Sequence, residues 1–89
     1  MSRRTSEIYR FVCYVLHVEE TYTMKAIAEL LKISPNAVST AIRDISHRVW
    51  VSNQPNDHHV YDVSYELKKA RKYIEDKNMK SRLKMNARR

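Results

Sequence analysis

Residues 24–45 read MKAIAELLKISPNAVSTAIRDI, and this stretch decides the fold. Ile27, Ala28, Leu31, Ile33, Val38 and Ala41 are apolar or small where two short helices crossing at a steep angle need them. Ala28 is the small residue that lets the second helix come close. Val38 fills the gap from that second helix, and Ile33 closes the core from the turn between them. Thr23 is placed to cap the first helix and Ser34 the second. Pro35 follows at the first helical position, where a missing N–H costs nothing. Lys32 stands where glycine usually makes such a turn, and the chain has no glycine, so the expected turn is longer or less left-handed than the common one.

Outward from this pair, the spacing of Ile8, Phe11, Val12, Val15 and Leu16 predicts a helix from about Ser6 to Glu20. Tyr9, Cys13, Tyr14 and Val18 add apolar surface around its circumference. A helix like that is buried on two sides, against the last helix or a second subunit. After the pair, VWVSNQPNDHHVYDV (49–63) alternates apolar and polar residues on either side of Gln54-Pro55-Asn56-Asp57, a good turn sequence. The expectation is a β-hairpin whose core face pairs Val49 and Val51 with Tyr61 and Val63. Ser64 then caps a fourth helix from Tyr65 to about Lys77, with Leu67, Ala70 and Ile74 on one face. The expected boundaries are a domain over residues 1–76 and a basic tail over 77–89, helical or disordered when free.

The order helix, helix, helix, hairpin, helix resembles the winged helix-turn-helix family across nearly the whole chain, through motifs that are only moderately specific. Small bacterial, plasmid and phage regulators look like this, with the CaiF/GrlA-type regulators a nearer likeness. The resemblance implies a mainly α fold with a small β-hairpin, in the order α-α-α-β-β-α. It also implies binding to double-stranded DNA and regulation of transcription, with helix 34–48 in the major groove.

On that helix, Val38, Ala41, Ile42, Ile45 and Val49 share one side, and Asn36, Thr40, Arg43 and His47 the opposite side, with Ser39 and Asp44 at the flanks. Arg43 suits guanine, Asn36 adenine, and Thr40 or Ala37 a thymine methyl. Ser34 at the helix start suits a phosphate. A solvated polar face is the plain alternative for any amphipathic helix. Charge adds weight. Residues 1–63 hold seven Lys/Arg and seven acids, whereas residues 64–89 hold ten Lys/Arg and three acids, so the whole net charge of +7 sits at the C-terminal end. That asymmetry points to a polyanionic partner. The expected phosphate contacts are Lys25, Lys32, Arg48, Lys77, Lys80, Arg82 and Lys84. The wing has no Lys or Arg and is expected to be secondary.

Other functions have weaker support. No glycine-rich phosphate loop, nucleophile elbow or paired acidic motif is present, so an enzyme is not expected. Cys13 is the only cysteine and cannot form an intrachain disulfide or a Cys-based zinc site. His58 and His59 adjoin, and neighbours on a strand point to opposite faces, so no metal or other cofactor is expected. The longest apolar run, FVCYVL (11–16), is too short to cross a membrane. The expectation is a cytoplasmic, nucleoid-associated protein that forms a homodimer through helices 6–20 and 65–77. Two rivals remain: an architectural, excisionase-like DNA-binding factor of a mobile element, and a winged-helix protein-docking module with no DNA role.

Overall fold

The computed structural model describes residues 6–53 and 63–83, and the account below is of those residues. They form α1 (Glu7–Tyr14), a π-helical turn (Val15–Glu19), α2 (Met24–Leu31), α3 (Pro35–Ser52), α4 (Val63–Asp76) and α5 (Met79–Arg82).

α1 is the central helix. Ser6 caps it, its hydroxyl accepting from the Tyr9 N–H at 3.3 Å. Phe11, Val12, Cys13, Val15 and Leu16 are all buried along this segment. Their burial follows from two neighbours, for α1 packs on both α3 and α4. Phe11 lies under the Arg48 guanidinium of α3 at 5.7 Å, whereas Tyr9 meets Tyr73 of α4 edge-on at 6.2 Å. α3 and α4 also touch each other, so the three helices close on a common core. Of the apolar surface expected to meet the last helix or a second subunit, Cys13 is buried and Tyr9 and Tyr14 are half-buried, Tyr9 against α4, whereas Val18 is 42% exposed. Leu67, Ala70 and Ile74, the α4 residues assigned to a dimer, lie in the same core as α1.

The β-hairpin, and with it the winged order α-α-α-β-β-α, is not what these residues form. α3 runs on through Ser52, taking Val49, Trp50 and Val51 as helix, and Val63 opens α4. No strand occurs among the described residues, and residues 54–62 lie outside them. The physical reason is legible in the spacing. Val49 stands four residues after Ile45 and continues the stripe Val38, Ala41, Ile42 and Ile45. Three residues of alternation are too few to outweigh that stripe. Asn53 ends the helix, its N–H donating to the carbonyls of Val49 and Trp50 at 3.2 Å.

The end of the first helical segment widens into the π turn, with the Glu20 N–H reaching the Val15 carbonyl at 3.0 Å. Thr21 then adopts a left-handed conformation (φ 64°) before the buried Tyr22. His17 Nδ1 donates to the Tyr22 carbonyl at 2.8 Å. Glu19 and Glu20 are thereby set against the C-terminal helices. Arg71 of α4 holds Glu19 through two hydrogen bonds (2.9 and 2.7 Å), and Lys80 of α5 meets Glu20 at 3.0 Å. α5 is short, but Met79 at its start is 3% exposed and belongs to the core. Among the described residues no helix is long and apolar enough to cross a membrane.

Candidate nucleic-acid interface

The pair α2 and α3 is built as residues 24–45 predict. The Thr23 hydroxyl caps α2 by accepting from the Ala26 N–H at 3.1 Å, and the Ser34 hydroxyl caps α3 by accepting from the Ala37 N–H at 3.0 Å. Pro35 opens α3. Ala28 and Val38 are both buried where α2 packs on α3. The turn between them departs from the expectation. Lys32 is fully left-handed (φ 58°, ψ 44°), and the N–H groups of Lys32 and Ile33 both reach the Ala28 carbonyl. This is the tight helix ending that glycine normally makes, and a lysine makes it here. Ile33 is half-buried against the core, which holds the turn in place.

This turn leaves one face of α3 outside. Asn36, Thr40, Arg43 and His47 are exposed, while Val38, Ala41, Ile42 and Ile45 on the other side are buried. Ala37 and Ser39 are half-buried at the edges. The outer face is longer than its sequence reading, because α3 continues past residue 48. Trp50, assigned to a strand by its alternation, falls on the same outer face and is 59% exposed. It stacks on His47, with ring centroids 6.2 Å apart and planes inclined by 21°. Trp50 is the residue that sequence reasoning missed; its position three after His47 and seven after Arg43 is the helical signal that points to it. Lys25, at the start of α2, and Lys32, at the turn, are both exposed.

Other expected contacts lie elsewhere. Arg48 is turned toward α1: it donates to Asp44 at 3.2 and 3.0 Å and also pairs with Glu7. Arg10 completes the cluster, donating to the same Asp44 carboxylate at 2.8 Å. Arg48 therefore joins α3 to α1 and is not an outward phosphate contact. Lys80 is tied to Glu20, and Lys77 lies over the Tyr73 ring at 5.7 Å. Arg82 is exposed on α5, and Lys84 lies outside the described residues.

Two further features bear on chemistry. Burial pushes the Cys13 thiol up to about 12, which keeps it from acting as a thiolate nucleophile. A groove of about 380 Å³ at the end of α1 is lined by Val15, Glu20, Arg71 and Lys80 among others. The last three of these already hold one another or Glu19 in ion pairs. No protein-family model, curated protein or solved structure matches this chain.

Proposed function

We propose that the protein binds double-stranded DNA with sequence preference, α3 lying in a major groove, and that it regulates transcription. One observation carries this reading: α2 and α3 are joined by a three-residue turn, and the polar face of α3 looks directly away from its buried stripe. A helix braced from behind, with its start capped and outside, is the shape that enters a major groove. Arg43 donates to a guanine edge, Asn36 pairs with adenine, and Thr40 and Ala37 meet thymine methyls. His47 and Trp50 lie further along the same face, with Trp50 offering apolar surface to the backbone sugars. Lys25 and Lys32 flank the groove as phosphate contacts, and α4 and the tail supply the bulk of the positive charge. The protein acts in the cytoplasm, without catalysis or a cofactor.

The test is selection of bound fragments from random duplex DNA, followed by titration of Arg43→Ala. A preferred motif is expected. Arg43→Ala should weaken binding to that motif by about 1–3 kcal/mol while changing random-duplex binding much less. Equal losses on both would demote Arg43 to a phosphate contact. Recovery of no DNA by the parent chain would refute the reading.

A further inference from the structure

We infer that the groove between the π turn, α4 and α5 binds a small zwitterion, an α-amino acid with an apolar side chain. The inference is independent of what α3 binds. The groove holds about 380 Å³, toward the small end of small-molecule sites. Its lining has three chemistries. Val15 and Ile74, each 2% exposed, give it an apolar floor. Arg71 and Lys80 supply positive charge, and Glu20 and Glu75 supply negative charge. The two signs balance, so a ligand carrying both suits this lining better than a plain anion or a plain cation.

Each sign has capacity left over. Arg71 donates to Glu19 through Nε and Nη2, at 2.9 and 2.7 Å, and its Nη1 makes no hydrogen bond among the described residues. Lys80 meets Glu20 at 3.0 Å, which leaves further hydrogens on its ammonium group. The Glu75 carboxylate makes no hydrogen bond or ion pair among the described residues. A ligand carboxylate accepts from Arg71 and Lys80 in charge-assisted bonds, and a ligand ammonium donates to Glu75. The ligand's apolar side chain covers Val15 and Ile74. Glu19 and Glu20 keep the two cations in place and hold them back from phosphate.

The backbone around the groove is uncommon in the same places. The π turn brings Glu20 to the lining, and Thr21 beside it is left-handed at φ 64°, a costly state for a β-branched residue. Asn78, left-handed at φ 56°, turns the chain from α4 into α5 and returns Lys80 to the groove. π turns and left-handed residues other than glycine gather at ligand sites.

The experiment is an NMR titration of the isotope-labelled full chain with L-valine, L-leucine, L-isoleucine, L-methionine and L-phenylalanine. At least one is expected to bind with a Kd of about 1 mM or below. Its amide shifts should centre on Val15, Ile74, Glu75 and Lys80. The N-acetyl and carboxamide forms of that amino acid should bind at least tenfold more weakly. Glu75→Gln removes a side chain that holds nothing in the fold. It should weaken the amino acid at least tenfold and leave the deaminated analogue, the same skeleton without the amine, within twofold. Lys80→Gln should weaken both. Circular dichroism should show unchanged helix content in each variant. Failure of all five amino acids to bind would overturn the inference. So would shifts centred away from the groove, an N-acetyl form that binds as well as the free amino acid, or unchanged affinity in Glu75→Gln.

Discussion

Lys32 holds a left-handed backbone that costs an L-residue with a Cβ about 1–2 kcal/mol relative to glycine. Its side chain is exposed and makes no hydrogen bond or ion pair among the described residues, so nothing local offsets that cost. Lys32→Gly should therefore raise stability. The gain is reduced by the extra freedom glycine has in the unfolded chain, leaving about 0.5–1 kcal/mol in urea denaturation. On DNA the same variant should bind less tightly and lower the salt slope of log K by roughly 0.9, the value of one phosphate contact. A variant that is more stable and binds with an unchanged slope would mean that Lys32 touches no phosphate. At this scale much was legible from the residues alone. Thr23, Ser34 and Pro35 announce their helix starts because caps act within three residues of themselves. The handedness of the turn was not legible. Glycine is the usual sign of a left-handed residue, and a glycine-free chain places Thr21, Lys32 and Asn78 there instead. Those conformations are imposed by the elements on either side, which no single residue reveals.

Among the elements, α3 shows how a short alternating run is outvoted by a long helical one. Val49, Trp50 and Val51 fit a strand by themselves, but Val49 also extends a stripe that begins at Val38, and the helix keeps it. The same lengthening brings Trp50 onto the candidate site, which the expected hairpin had hidden. The phosphate role given to Arg48 failed for a related reason. Its pairing with Asp44 one turn before it on the same helix was open to a sequence reading, whereas Glu7 becomes its partner only when α1 packs on α3. The π turn makes a comparable long-range link between Glu19 and Arg71. That hydrogen-bonded guanidinium holds the Glu19 carboxyl below the usual carboxylate range. A carboxyl lowered in the folded state adds stability above its unfolded pKa, about 4.3, and loses it as pH falls through the folded value. Both partners are partly exposed, so the pair is worth at most about 1 kcal/mol. Glu19→Gln should accordingly be less stable than the parent at pH 7, with the difference closing below about pH 4. A difference that persists unchanged into acid would assign it to packing of the side chain instead.

For the whole molecule, the division of charge survives folding as a division of surfaces. Residues 6–53 hold five Lys/Arg against five acids, and residues 63–83 hold seven against three. The excess is thus carried by α4 and α5, apart from the helix that bears the candidate site. α5 is also part of the core, which bears on where the chain can be cut. Ending it at Asp76 removes Met79, and the loss of that buried side chain should cost about 2–5 kcal/mol in thermal denaturation. Ending it after Leu83 keeps every buried residue among those described and removes Lys84, Arg88 and Arg89, so stability is expected to hold. If the shorter chain melts with the parent, Met79 contributes nothing to the core. The central place of α1 has a consequence for synthesis. It is made first, yet the helix that covers its second side is made last among the four longer ones. At about 5–20 residues per second, roughly 3–12 s separate the emergence of α1 from that of α4. Throughout that interval the part of α1 that packs on α4 stays bare, and neighbouring nascent chains carry the same bare strip. Protection from one another in those seconds must come from the ribosome or from chaperones, since the protein itself has not yet made the helix that hides it.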